Sequence, residues 1–219
     1  MLAHPALGKR LPATMPTELV PGFVPGEIPM KQGAPGPEVR FLYSGTLDHP
    51  RGVDLLLEAL QFLPTQGWHL DITGHGPLAE SISRFLAEAR WKGKVEYHQA
   101  LPPDDYERLL AACHVGLNCQ RPSDPVSGVT FPSKVFTYLA AGLVVISSRA
   151  SEVDKICGKA CLYYDGETPQ SLAAAMNEAI TDFTGVCRKL DRNEVAGRFS
   201  IDATTARLRN FLQTVGFLK

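Results

Sequence analysis

The chain has no run of about 18 consecutive apolar residues, which excludes a membrane-spanning helix of ordinary length. Its opening, MLAHPALGKRLPATMPTELV, lacks a continuous apolar stretch followed by a small-residue cleavage site, so it does not have the form of a secretory signal. A long basic tract is also missing. With 22 Lys and Arg against 23 Asp and Glu, and a formal net charge of −1, no broad cationic face for nucleic acid is expected. The five cysteines, Cys113, Cys119, Cys157, Cys161 and Cys187, form an odd set without paired CxxC spacing. That argues against a structural zinc site and for buried free thiols. Only Cys157 and Cys161, in CGKAC, stand close together, and no histidine lies near them. These absences describe a soluble protein, expected in the cytoplasm.

What the 219 residues do hold is apolar mass for one sizeable core, 44% of them being hydrophobic. Residues 1–38 differ from the rest. Eight of the seventeen prolines fall at or before Pro37, in phrases such as VPGFVPGEIPM and GAPGP. Neither a helical nor a strand period runs through them, and an extended arm or interdomain linker is predicted. From Val39 onward, short β-branched or aromatic runs alternate with amphipathic stretches, which predicts one domain over 39–219. Strands are predicted at 39–44, 68–74, 94–98, 114–119, 143–148 and 160–165. Helices are predicted near 52–63, 77–91, 103–112, 133–141, 151–156, 168–182 and 201–214. In the first of these helices Val53, Leu56, Leu57, Leu60 and Leu63 fall at three-to-four spacing and form one apolar stripe. Right-handed crossovers then give an α/β, doubly wound, Rossmann-like parallel sheet of about six strands.

In such folds ligands sit beyond the carboxyl ends of the strands, where loops run into helix N-termini. Three loops carry the candidate chemistry. In SGTLDHPRG, Gly45 permits a tight turn and Arg51 stands at a helix start, where a guanidinium can grip a phosphate or pair with Asp48 or Asp54. His49 beside it reads as a solvated loop residue. In TGHGP, Gly74 and Gly76 bracket His75, a pattern that serves either a ligand or an ordinary strand-to-helix turn. In SDPVSGVTFPSKVFTYLAAGLVVISS, the small-residue loop Ser127-Gly128-Val129 approaches a helix opened by Pro132, Ser133 and Lys134. Ser133 is a candidate N-cap, and Gly142 suits the left-handed position past the helix end. Lys134 reads either as a diphosphate ligand or as a solvated helix residue. Phe131, Phe136 and Tyr138, at helical spacing, read as core.

The ordered set FLYSGTLDHPRGVDLLLEAL, LDITGHGP, VEYHQALPPDDYERLLAACHVGLN, FPSKVFTYLAAGLVVISS and CLYYDGETPQSLAAAM resembles the C-terminal half of GT-B glycosyltransferases, specifically the retaining enzymes of family 4. The resemblance covers roughly residues 39–182. It implies a single GT-B half-domain that binds a nucleotide-sugar donor and takes part in carbohydrate biosynthesis. A hexosyl group would pass from a UDP- or GDP-sugar to a saccharide or lipid-linked acceptor. By position, the family's turn after the first strand falls on Gly45 and Thr46, and its diphosphate-gripping lysine falls on Arg51. The base lies near the loop from His98 to Pro102. The phosphate-facing loop falls on Ser127, Gly128 and Val129, beside Lys134. Side-chain cations neutralise the diphosphate in this scheme, so no metal or other cofactor is expected. No catalytic residue is assigned.

The chain departs from the family pattern at three positions. Thr46 stands where many relatives have arginine, Thr137 where a glutamate binds the ribose, and Val129 where a second glutamate is usual. The acceptor-binding N-terminal half of a GT-B enzyme is also not represented, and the resemblance implies that it is supplied in cis or in trans. Loss of the carboxylates supports a second reading, a non-catalytic GT-B-like module that binds a partner. A sugar-nucleotide epimerase or hydrolase on the same fold would need acid and base residues that are not evident. A flavodoxin-like regulator would need a different first loop.

Overall fold

In the computed structural model, which describes residues 1–2, 4–31 and 36–218, six strands form one sheet. They are β1 (Val39–Ser44), β2 (Trp68–Thr73), β3 (Val95–Tyr97), β4 (Val115–Asn118), β5 (Val144–Ser147) and β6 (Leu162–Tyr163). All pairings are parallel, in the order β3-β2-β1-β4-β5-β6. This is the doubly wound order, and its direction reverses between β1 and β4. The helices are α1 (Pro5–Gly8), α2 (Val53–Ala59), α3 (Ala79–Leu86), α4 (Pro103–Ala112), α5 (Lys134–Ala140), α6 (Val153–Cys157), α7 (Pro169–Thr181), α8 (Phe183–Lys189), α9 (Asn193–Phe199) and α10 (Ile201–Thr214). None of these is long and apolar enough to cross a membrane.

Alternation along the strands splits the core in two. Phe41, Tyr43, Leu70, Ile72, Leu117 and Ile146 face a layer built from α2, α3, α7 and α8. Leu42 and Val145 point the other way, toward α5, α6 and α9. The predicted stripe is buried at Val53, Leu56 and Leu57 in α2 and at Leu60 in the 3-10 turn that follows it, with Leu63 packed half-buried at the margin. Each such leucine contributes about 1.5–3 kcal/mol by leaving water. Cys113, Cys119, Cys157 and Cys161 are buried free thiols and Cys187 is half-buried. Burial pushes the Cys113 and Cys119 thiols up to about 12, which leaves them unreactive near neutral pH.

Tertiary packing changes several boundaries. The helix expected over 77–91 stops at Leu86; Glu88 is extended, and a short 3-10 turn at Ala89–Trp91 lets the buried Trp91 stack on Phe85 at 5.1 Å. Three helices are not expected from the sequence: α1 is a single four-residue turn, and α8 and α9 are only seven residues each and carry Gly185 and Gly197 in their interiors, which blunts the periodic signal. The latter two are held instead by burying Phe183, Val186, Val195 and Phe199.

Residues 1–2 and 4–31 have little regular structure, and they lie on the domain. Val24 is buried and forms a parallel bridge with Ser200. Lys31 Nζ donates to the carbonyls of Leu110, Ala111 and Cys113 at the end of α4. The buried Arg192 donates to the carbonyls of Pro29 and Leu143, and Arg207 to Glu18 and the Leu19 carbonyl. Residues 33–35 of the GAPGP phrase, and Lys219 at the end of the expected domain, lie outside the described residues.

Candidate functional site

A cleft of about 490 Å³ opens at the carboxyl ends of β1 and β4, where the strand order reverses. It is lined by Ser44, Gly45, Thr46, Arg51, Tyr106, Gln120, Thr130, Phe131, Pro132, Ser133, Lys134 and Thr137. Two of these carry positive charge and none carries negative charge.

The turn after β1 is built by backbone contact. Gly45 has φ +136° and its N–H donates to the Thr73 carbonyl, while Leu47 N–H donates to the His75 carbonyl. The turn after β2 lies directly against it, so closely that a Cβ on Gly74 would stand 1.8 Å from the Gly45 oxygen. Gly74 therefore shapes the cleft from beneath and does not line it. Below the turn, Tyr106, Ser44 and Tyr138 form a hydroxyl chain, with Ser44 Oγ 3.0 Å from Tyr106 Oη and 2.9 Å from Tyr138 Oη. Tyr138 also accepts the Ser44 backbone N–H at 2.8 Å.

Lys134 opens α5 and is not the solvated helix residue that its sequence allowed. Its Nζ is shut off from solvent, makes no hydrogen bond, and sits over the Tyr43 ring at 4.0 Å from the centroid. A Cβ placed on Gly45 would lie 3.2 Å from the same nitrogen. Burial lowers its pKa from 10.5 to about 8. Arg51 is anchored within its own turn: its backbone N–H donates to Asp48 Oδ1 at 2.9 Å and its guanidinium to Asp48 Oδ2 at 3.1 Å. Asp54 is taken by other partners, His49 and Arg121, both at 2.8 Å.

The remaining expected residues are placed differently. Ser127 is buried, its hydroxyl donating to the Arg121 carbonyl at 2.6 Å and accepting from Gln120 Nε2 at 2.9 Å. The Val129 N–H is used within its own turn, bonded to the Val126 carbonyl. Gly128 is exposed, and with Ser127 and Val129 it lies outside the cleft lining, which this loop reaches only from Thr130 onward. Gln120 was not singled out from the sequence, yet it ties this loop down, reaching Ser127, Thr130 and Ser151 from the cleft wall. Ser133 occupies the N-cap position of α5 without a side-chain cap bond, because Pro132 already receives the Val135 N–H; its hydroxyl stays in the cleft. Gly142 is left-handed at φ +82°, as expected, and closes α5 with Leu143 N–H on the Tyr138 carbonyl. Phe136 and Tyr138 are core, whereas Phe131 lines the cleft and packs on Phe136 at 4.9 Å.

His98 also lies outside the cleft lining. Its Nε2 is 2.7 Å from Asp71 Oδ1, part of a polar cluster on one face of β2 and β3. Asp71 is completely buried and accepts from Arg40 at 2.9 Å through Oδ2. Burial raises its pKa, but the contacts with His69, His98 and Arg40 outweigh that and hold it at about 2. The signal for this cluster lay in the alternating pairs His69-x-Asp71 and Glu96-x-His98, which put four polar side chains on one face of adjacent strands.

Sheet order and cleft together define a doubly wound domain with a cationic pocket at its switch point. Residues 38–182 match the family described as glycosyl transferases group 1, and the chain belongs to that family. Its Rossmann-like sheet corresponds to one half-domain of the GT-B glycosyltransferases. Over 86 residues, 39% of this chain and 18% of the relative, it is 33% identical to the chitobiosyldiphosphodolichol beta-mannosyltransferase of Kluyveromyces lactis. Among solved structures, the sucrose-phosphate synthase of Thermosynechococcus elongatus superposes with TM-score 0.73 at 17% identity, covering 98% of this chain and 57% of that one. Anabaena Alr3699/HepE in complex with UDP gives 0.67 at 15% identity, covering 81% and 49%. The chain spans about half the length of these structures.

Proposed function

We propose that this chain is the donor-binding domain of a glycosyltransferase, holding a UDP- or GDP-sugar in the cleft between β1 and β4. The observation that carries this reading is the Lys134 ammonium, buried, without a hydrogen bond and beside the Gly45 turn. An unpaired buried cation is costly, and an anionic ligand supplies the missing partner. Arg51, which also lines the cleft, provides a planar guanidinium, already oriented by Asp48. The family membership and the UDP complex of the Anabaena neighbour support a nucleotide diphosphate as that anion.

In this reading Arg51 and Lys134 stabilise charge building on the departing diphosphate, and the backbone of Gly45 and Thr46 lets the phosphates approach closely. These side chains neutralise the diphosphate without a metal in the cleft. The base lies toward the His98–Pro102 loop, and the hexosyl group passes, with retention of configuration, to a saccharide or lipid-linked acceptor. The acceptor is presented by a facing half-domain, in cis or in trans. The test is calorimetric titration of the chain with UDP, GDP and ADP. One nucleotide should bind saturably, and Arg51→Ala should weaken it by about 1–3 kcal/mol, the range for charged hydrogen bonds. Equal affinity of wild type and variant for every nucleotide would remove Arg51 from this role.

One observation favours a second reading. Thr137 is exposed at the cleft, its hydroxyl 3.4 Å from the Ser133 carbonyl, and among the described residues no carboxylate lines the site to hold a ribose. A GT-B-like module that binds a partner rather than turning over a donor would have this character. Absence of binding to all three nucleotides selects it.

A further inference from the structure

We propose that His69, Asp71, Glu96 and His98 form a binding site for a divalent transition-metal ion, of which zinc is the natural probe, on the β2–β3 face of the sheet. The parallel register sets Asp71 beside Glu96, and His69 and His98 follow on the same face by the two-residue period of the strands. One ligand atom each from His69, Asp71 and Glu96 lies within 4.8 Å of the others. His98 stands at the edge of this group of three, its Nε2 2.7 Å from Asp71 Oδ1 and 3.8 Å from Glu96 Oε2, and would have to swing inward to complete the set.

Neighbouring ligand atoms around a tetrahedral zinc at about 2.0–2.1 Å stand a little over 3 Å apart, so these separations need only small side-chain adjustments. His69 supplies the independent indication. Only 8% of its surface is exposed, and its Nε2 is sealed from solvent without a hydrogen bond, 3.5 Å from Asp71 Oδ1. A buried imidazole nitrogen whose only close partner is a carboxylate oxygen at 3.5 Å, without hydrogen-bond geometry, is incompletely satisfied as it stands.

Arg40 fits this arrangement. It binds Asp71 through Oδ2 alone and leaves Oδ1 directed at both imidazoles, the way an outer partner orients a ligating carboxylate. Two imidazoles with two carboxylates suit zinc, cobalt or nickel and disfavour magnesium and calcium, which prefer all-oxygen sets. The site lies outside the cleft lining and does not depend on a donor being bound there. Its effect would be to tie the edge strand β3 to β2 and so fix the 98–102 loop that leads into α4.

The experiment is titration of the full chain, freed of metal with chelator and exchanged into clean buffer, with zinc by calorimetry and with cobalt by absorption spectroscopy. One equivalent of zinc should bind, melting temperature should rise with it, and cobalt should give the intense visible bands of a four-coordinate nitrogen and oxygen site. Glu96 is 53% exposed, so Glu96→Gln leaves the fold intact, and it should weaken zinc binding by about tenfold or more. His69→Gln should do the same. If that buried substitution unfolds the chain, Glu96→Gln and the cobalt spectrum decide. No saturable binding, binding unchanged in Glu96→Gln, or a sulfur-to-cobalt charge-transfer band placing the ion on cysteines would each overturn the proposal.

Discussion

Lys134 Nζ stands 4.0 Å from the centre of the Tyr43 ring, and that aromatic face takes the place of a hydrogen-bond acceptor. The Tyr43 hydroxyl in turn donates to the Thr46 carbonyl at 2.9 Å, so the ring that carries the cation also braces the turn after β1. A cation–π contact is worth about 2 kcal/mol or more when desolvated, less than full hydration of an ammonium. The remaining cost shows in the pKa, which burial draws down to about 8.

Opposite pH dependences of binding and stability follow. In the free protein Lys134 loses its proton as pH rises through about 8, so affinity for a nucleoside diphosphate should fall between pH 7 and 9. Stability should move the other way. Because the folded pKa is depressed below the unfolded value of 10.5, the unfolded chain binds more protons between about 8 and 10.5, and this group makes stability rise with pH there. The full gain is about 3–4 kcal/mol. Calorimetry at matched pH values checks the first sign, and urea denaturation compared with Lys134→Met, which subtracts other titrations, checks the second.

Lys134→Met should separate the two properties at a single pH. Removing a buried unpaired charge while keeping the aliphatic stem over Tyr43 should leave stability unchanged or raise it by about 1–2 kcal/mol. Nucleotide binding should drop below detection. A variant that is both less stable and still binding would mean that the ammonium is satisfied within the fold and has no ligand role.

Thr137→Glu restores a carboxylate at the exposed lip of the cleft. If a ribose is bound there, affinity for UDP or GDP should increase by about tenfold, the low end of what a charged hydrogen bond supplies. The position is exposed, so the fold should tolerate the change. An unchanged or weakened affinity would show that the nucleoside lies elsewhere in the cleft.

The parts of this molecule legible in its sequence are those where one periodicity acts alone. Val39–Ser44 and Pro103–Ala112 have the predicted ends, because a buried strand and a helix opened by proline need no distant partner to declare themselves. In the cleft, Gly45, Thr46, Arg51, Lys134 and Thr137 come together. Gly74, His98, Ser127, Gly128 and Val129 do not, and the causes are non-local. A glycine required by close approach to a neighbouring turn looks like one required by a ligand. Ser127 is claimed by Gln120 and Arg121, and His98 by a carboxylate on the adjacent strand. Loops record what they touch only after the chain has folded.

The N-terminal segment offers the last test, because two of its contacts differ in burial. Arg192 is 6% exposed and holds the carbonyls of Pro29 and Leu143. Arg192→Ala leaves both acceptors unpaired in the interior and should cost about 2–3 kcal/mol. Lys31 caps the end of α4 through three carbonyls nearer the surface, which water can partly satisfy when the side chain is removed. Lys31→Ala should therefore cost about 1 kcal/mol. Urea denaturation of both variants measures the difference. If Arg192→Ala proves as mild as Lys31→Ala, the arm does not seal that interior in solution, and residues 1–31 pack against the domain only loosely.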